Sequence, residues 1–259
     1  MKLYKAYAKV NIFLKITGTR DNYHEIISRF VVVNSLYDKL SFLAKSDDKF
    51  EIIGNFSCTT KQNTIYKAYI SLLEYTKSSS LKNLMKKYAI KVEKNIPAFA
   101  GLGGGSSDAA TYLKMCNDSL DLGLSLNELA TVGLKVGADV PFFIYGYNSA
   151  NVSGIGEVVE EFIEDSLEYE VYTPDVEIST PKVYVSYREN FFRPISSFVA
   201  DELKQKTSLE ILNTMSADEA NDLFKPAFLE YSELKKYYKH GYFFSGSGSS
   251  FFKIKEEKK

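Results

Sequence analysis

The sequence predicts an α+β protein built as two closely packed lobes. Three observations lead there. Apolar and polar residues alternate at period two in YAKVNIFLKI near the start and again in YAIKVEKNI, residues 88–96, as they do in strands with one apolar face. Apolar residues at helical spacing follow Asn63 and follow the glycine-rich stretch GLGGGSSDAA. After about residue 148 the mixture restarts, with strand-like pieces leading into short helices rich in Leu, Glu and Lys. The chain has 259 residues, between one and two domains at roughly 150 residues each. That is long enough to bury a core without disulfides or a structural metal.

In the first strand Ala6, Ala8, Val10, Ile12, Leu14 and Ile16 share one face, and Tyr7, Lys9, Asn11, Phe13 and Lys15 share the other. The stretch TGTRDNYHE then reads as a loop, with Gly18, Asp21 and Asn22 as turn formers. A β-rich run, RFVVVNSLYDKLSFL, follows. Asn63 stands where an N-cap belongs, ahead of Ile65, Ala68, Tyr69, Leu72 and Leu73. Ser78, Ser79 and Ser80 mark a loop. Ser125 with Glu128 forms a capping box, and the helix it opens ends near Gly133 or Gly137. EVYTPDVEIS reads as strand. The closing YFFSGSGSSFFKIK reads as two strand halves around a second Gly/Ser cluster.

Composition narrows the function. Thirty-two basic and 33 acidic side chains leave a formal charge of −1. No global field is available to hold nucleic acid or an anionic membrane, so an anion site must be local. Cys58 and Cys116 stand far apart without metal-ligand spacing, which fits a reducing cytoplasm. Two histidines are too few for a multi-histidine metal site. Lys2, Lys5, Lys9 and Lys15 interrupt the N-terminal apolar residues, against a signal peptide, and nothing approaches ~20 consecutive apolar residues. The expected location is the cytoplasm.

The stretch from Gly101 to Ser107 carries the clearest chemistry. Glycines there cost conformational entropy, yet they let backbone N–H groups close around a phosphate, with a helix N-terminus behind them. The candidates are Gly101, Gly103, Gly104, Gly105, Ser106 and Ser107. No lysine follows, so this is not GxxxxGK[ST], and Ser106 stands where GxGxxG needs its third glycine. A surface loop is the alternative, disfavoured by the strand before it and the Ser-Ser-Asp helix start after it. Lys9 and Asn11, on a strand's polar face, would by themselves read as a solvated face. Asp139, in VGADVPFF, would by itself be a turn former. Tyr23 and His24 could stack on and hydrogen-bond a ring, or simply pack. Gly246, Ser247 and Gly248 offer a hairpin or a second backbone surface close to a phosphate.

Together, AKVNIFLKI, YH, GLGGGSSDAA, GADVPFF and SGSGSS, in that order from residue 6 to residue 252, resemble the GHMP small-molecule kinases. The resemblance implies a two-lobed GHMP kinase fold, with an ATP-binding lobe over 1–148, a substrate lobe over 149–259 and the active site between them. It implies Lys9 and Asp139 as catalytic lysine and aspartate, and Gly101 to Ser107 as the ATP phosphate loop. Asn63 and Lys94 fall on the nucleotide side. Asn11, Tyr23 and His24 fall on the substrate side, with Tyr184, after Thr180-Pro181, stacking on a cytosine. Gly246, Ser247 and Gly248 match the third motif. The substrate so implied is a cytidine diphosphate derivative of methylerythritol, phosphorylated on its 2-hydroxyl with ATP and Mg²⁺, by a monomer or weak homodimer that binds neither nucleic acid nor membrane. A GHMP kinase for another alcohol, homoserine or mevalonate, and a non-catalytic metabolite-binding protein on the same fold are the rivals. The aromatic clamp argues against the first, intact Lys9 and Asp139 against the second. This chain departs from the family pattern in three places. Asn22 replaces a glycine in a loop one residue shorter, Phe99 and Ala100 replace smaller residues at the base of the phosphate loop, and FFKIKEEKK follows the third motif where relatives usually continue into a helix.

Overall fold

A computed structural model describes residues 2–255, so the last part of FFKIKEEKK, residues 256–259, lies outside the described residues. In chain order the elements are β1 (Tyr4–Arg20), β2 (Tyr23–Ala44), β3 (Ile52–Ile53), α1 (Thr64–Thr76), α2 (Ser79–Lys87), β4 (Tyr88–Glu93), α3 (Gly104–Leu120), α4 (Leu126–Leu134), α5 (Val140–Tyr145), β5 (Ser149–Gly154) and β6 (Val158–Glu161). Then come β7 (Tyr169–Tyr172), α6 (Thr180–Asn190), α7 (Ser197–Gln205), α8 (Ser208–Thr214), α9 (Ala217–Ala220), α10 (Phe224–Glu230), β8 (Phe243–Phe244) and β9 (Phe251–Ile254).

Two compact units form. One gathers residues up to Ala8, Asn34–Ile96 and Gly103–Gly146; the other gathers Lys9–Val33, Pro97–Leu102 and Tyr147 onward. The units interleave along the chain. The crossing near residue 147 lies beside the sequence boundary at 148, while those within β1 and β2 and those around residues 97–102 have no counterpart in the sequence pattern.

In the first unit the end of β2 pairs antiparallel with β4, from Lys39↔Glu93 to Ala44↔Tyr88, and β3 pairs parallel with β4. Helices α1, α3, α4 and α5 pack on one another, burying Ile65, Ala68 and Leu72 of α1 and Ala109, Tyr112, Leu113 and Cys116 of α3. In the second unit the start of β2 pairs antiparallel with β5, from Ile26↔Gly154 to Val31↔Ser149, and β5 pairs antiparallel with β6. A separate sheet runs β7-β9-β8. A core of Leu14, Ile16, Ile26, Val183, Tyr187, Leu223, Phe244 and Phe251 lies beneath α6 and α10.

Four local expectations need correction. TGTRDNYHE is not a loop: β1 continues to Arg20 and β2 starts at Tyr23, leaving a two-residue turn. Thr17 and Thr19 favour extended backbone and carry the strand on. The left-handed residue in that turn is Asp21, φ 54°, rather than Asn22. Ser78–Ser80 do not form a loop either. Lys77 closes α1 in the left-handed region, and Ser78 then caps α2, its Oγ accepting from the Leu81 N–H at 3.1 Å. Leu81 and Met85, one turn apart, are the apolar anchors that make this a helix. Of EVYTPDVEIS only the opening Glu170, Val171 and Tyr172 are strand, as the end of β7. The polar face of β1 is not a solvated one: Lys9 is 3% exposed and Asn11 2%, as deeply buried as Val10 and Ile12 opposite.

Candidate active site

Burying an ammonium without partners is expensive, so the surroundings of Lys9 are informative. Its Nζ donates to Asn11 Oδ1 at 2.6 Å and lies 4.4 Å from the centre of the Phe30 ring. Asn11 is oriented in turn, because its Nδ2 donates to Ser28 Oγ at 2.9 Å and Ser28 Oγ donates to the Phe13 carbonyl. Period two places Lys9 and Asn11 on one face of β1, and β2 supplies Ser28 and Phe30 beside them.

The same unit holds the start of the glycine stretch. Lys9 N–H donates to the Leu102 carbonyl at 3.0 Å, Ser245 Oγ donates to the Gly101 carbonyl at 3.0 Å, and Ser250 N–H donates to the Ala100 carbonyl at 3.1 Å. Gly101 sits at φ 73°, and a Cβ there would meet the Ser245 carbonyl at 2.1 Å. Close backbone approach therefore demands this glycine whatever ligand the loop takes. Phe99, one turn of loop earlier, holds φ 54° with its ring exposed. The third motif is braced from below. Asn221 Nδ2 donates to the Phe244 and Gly246 carbonyls at 2.9 and 2.8 Å, and Ser247 Oγ pairs with Thr180 Oγ1 at 2.6 Å. Gly248, at φ 91°, has no room for a Cβ beside Phe244.

An aromatic cluster forms around His24. The ring of Tyr184, on α6, stacks on it at 5.1 Å, while Tyr187 and Phe192 meet it at 5.7 and 6.4 Å. His24 Nε2 is buried and has no partner. Burial, with the nearby Arg188 charge, holds the imidazole below its ordinary pKa, so it stays neutral. Tyr23, its neighbour, is 64% exposed, and Arg188 donates to the Asn22 carbonyl at 3.1 Å.

In the first unit Gly103, at φ 70°, is the N-cap of α3, which begins at Gly104, two residues before Ser106. A Cβ on Gly104 would lie 2.9 Å from Ile96 Cγ2. Asn63 caps α1 as expected, its Oδ1 accepting from Ile65 N–H at 2.9 Å, a cap worth about 1 kcal/mol. Thr64 Oγ1 donates to the Gly105 carbonyl at 2.6 Å, so the starts of α1 and α3 are tied together. Ser106 Oγ faces Gly137, and Ser107 is buried. Asp139 precedes α5 with helical backbone angles and does not cap it. As its junction suggested, it lies in a turn, closed by the Val140 N–H donating to the Gly137 carbonyl at 3.1 Å, and Pro141 opens the helix after it.

Lys94 is held by two carboxylates, Asp38 of β2 and Asp108 of α3, the latter at 2.7 Å. One ammonium facing two buried acids leaves a surplus negative charge. Asp108 carries that cost: burial first, and Asp38 with it, hold its pKa at about 7 against the pull of Lys94. Sequence reasoning missed Asp38, Ser28, Ser245 and Asn221. Asp38 had one legible signal, an acid on the strand face it shares with buried Leu40.

Residues 63–147 match the GHMP kinases N terminal domain. The fold also matches the crystal structure of L. major mevalonate kinase in complex with R-mevalonate, at TM-score 0.63 over 99% of this chain and 88% of that one, with 14% identity. The fold is that of the GHMP kinases, and the protein is an ATP-dependent kinase. A 4-diphosphocytidyl-2-C-methyl-D-erythritol kinase of Sulfurimonas denitrificans is 68% identical over 99% of this chain and 98% of its own length. The crystal structure of a 4-(cytidine 5'-diphospho)-2C-methyl-D-erythritol kinase matches at TM-score 0.74 and 30% identity, over 98% of this chain and 90% of that one. The chain belongs to the 4-diphosphocytidyl-2-C-methyl-D-erythritol kinase family.

Proposed function

We propose that the protein transfers the γ-phosphoryl group of ATP to the 2-hydroxyl of 4-diphosphocytidyl-2-C-methyl-D-erythritol, a step of the non-mevalonate route to isoprenoid precursors. The observation that carries the substrate assignment is His24: a neutral imidazole with a buried, unpartnered Nε2 amid aromatic rings asks for a polar ring edge. A small alcohol such as homoserine or mevalonate has no such edge. Tyr184 offers the ring face for the cytosine and exposed Tyr23 covers it, with His24 bonding its polar edge.

In the reaction the 2-hydroxyl oxygen bonds to Pγ as the bond from Pγ to the bridging oxygen of ADP breaks, and the hydroxyl proton passes to the Asp139 carboxylate. Lys9, aimed by Asn11, stabilises the developing alkoxide and the charge on the transferring group. The backbone of Gly101, Gly103, Gly104, Gly105, Ser106 and Ser107 receives the ATP phosphates, and the third motif, Gly246, Ser247 and Gly248, adds a second backbone surface. Asn63, whose Oδ1 serves the cap of α1, belongs to the adenine side with Lys94. We assign residues 1–148 to ATP binding and 149–259 to the substrate.

Among the described residues no three Asp, Glu, His or Cys side chains gather as a metal cage, and Lys94 takes one oxygen of Asp108, the acid closest to the loop in sequence. We assign Mg²⁺ to the ATP phosphates, which with water supply most of its ligands in such sites. No helix among the described residues is long and apolar enough to cross a membrane, and we place the enzyme in the cytoplasm, as a monomer or weak homodimer. Steady-state ATP turnover tests the proposal. It should depend on the cytidine diphosphate substrate and not appear with homoserine or mevalonate; turnover with either small alcohol, or none with any acceptor, defeats it.

A further inference from the structure

We infer that Asp38 is a positioning residue that fixes both flanks of the phosphate loop before nucleotide arrives. The inference rests on the reading of Gly101–Ser107 as the ATP phosphate loop. Asp38 is 0% exposed on β2, and the donors to its carboxylate come from the three residues that lead into that loop. Its Oδ1 accepts from the Asn95 N–H and from the Ile96 N–H at 2.9 Å, and its Oδ2 accepts from Lys94 Nζ. Asn95 is held a second time, its Nδ2 donating to the Tyr37 carbonyl at 2.9 Å. Lys94 carries the tie across the loop, since the same Nζ donates to Asp108 on α3. Ile96 completes it by filling the space beside Gly104, where α3 begins. Residues 94–96 before the loop, and the loop's own helical end from Gly104 to Asp108, are thus joined to one buried carboxylate.

A carboxylate suits this place because it accepts at every lone pair. An amide of the same shape turns an N–H₂ toward donors, leaving buried N–H groups or the Lys94 ammonium unpaired. Backbone donors bind phosphate well only when they are aimed in advance, so loosening 94–96 should be felt in ATP binding and not in binding of the cytidine substrate.

The test pairs a variant with a measurement on the unaltered protein. Asp38→Asn should raise the KM for ATP tenfold or more, on the order of the ~1.4 kcal/mol that a tenfold change represents, while the KM for the cytidine diphosphate substrate moves less than about twofold. In the unaltered protein, hydrogen exchange should find the Asn95 and Ile96 amides protected without nucleotide and unchanged by a non-hydrolysable ATP analogue. An unchanged ATP KM in folded Asp38→Asn overturns the inference, as do 95–96 amides that become protected only when the analogue binds. If Asp38→Asn does not fold, the exchange result decides alone. Gly103→Val separates the two readings. If it loses ATP affinity while Asp38→Asn does not, the loop stands and the Asp38 role falls; if it binds ATP as the parent does, the loop reading falls and takes the inference with it.

Discussion

Around Lys94 most polar groups of the chain are matched to one another: Asp38 takes three donors, Lys94 bridges two acids, and Thr64 ties down the start of α3, with Asp108 Oδ1 left buried and unbonded. Around His24 the reverse holds. Rings pack closely, Tyr184 stacked and Tyr187 edge-on, yet Nε2 is buried with nothing to bond. The contrast follows from the ligand each region is assigned. A phosphate is recognised by backbone donors, which must be aimed by internal bonds beforehand; a base is recognised by a side-chain edge, which must be kept vacant for it. The same principle separates the kinds of damage that mutation should cause.

The largest effect should come from neither region but from the proposed catalytic pair, Lys9 and Asp139. Asp139→Asn keeps the shape and removes the proton acceptor, and loss of a general base typically costs roughly a hundred- to ten-thousand-fold in rate. Turnover should fall by that order while calorimetry finds ATP and the cytidine substrate still bound. A near-parental kcat would remove Asp139 as base. Next comes the phosphate side. Gly103 holds φ 70° as N-cap of α3, a conformation that a β-branched side chain resists. Gly103→Val should lower ATP affinity at least tenfold, about 1.4 kcal/mol or more, with binding of the cytidine substrate alone nearly unchanged. Equal losses for both ligands would mean that the two regions are not independent.

Much of the frame behind this contrast was legible in the sequence because its causes are local. Asn63 and Ser125 could be recognised as caps, since an N-cap and its first turn are neighbours in sequence. The first strand declared itself by alternation, as did the strand read over 88–96, which the structure ends at Glu93. What was not legible depends on partners far away. Nothing in YDKL says that Asp38 will meet residues 56 to 58 positions later, and nothing near Asn221 says that it will brace the third motif. Lys9 and Asn11 read as a solvated face because alternation reports two faces without saying what covers each. The hairpin at Asp21-Asn22 was hidden because turn formers describe a long loop and a tight turn equally well.

On the base side the effects should be smaller and of two kinds. Base–aromatic stacking is worth roughly 1–3 kcal/mol per base and tolerates any base. Tyr184→Ala should therefore raise KM for cytidine and uridine forms of the substrate alike. His24→Ala should instead narrow the gap between them, because an unpaired buried group costs about 1–3 kcal/mol against the wrong base. Measuring kcat/KM for both forms in both variants separates face from edge; parental behaviour in both would displace the cytidine pocket.

The finest test uses pH alone. Burial, aided by the Arg188 charge, lowers the His24 pKa below its ordinary value near 6.5. The unfolded chain then takes up its proton first as pH falls, so the unfolded state binds more protons across the interval between the two pKa values. Stability tied to His24 is therefore fully present above about 6.5 and declines as pH drops toward the depressed folded value. The carboxylates titrate in parent and variant alike and cancel in the comparison. Tm should fall more steeply with acidification below about 6.5 in the parent than in His24→Ala, and KM for the cytidine substrate should stay level until pH nears the depressed folded value and rise beneath it. Parallel melting curves would mean that His24 is not kept neutral by its surroundings, and the vacant edge at Nε2 would lose its meaning as a base reader.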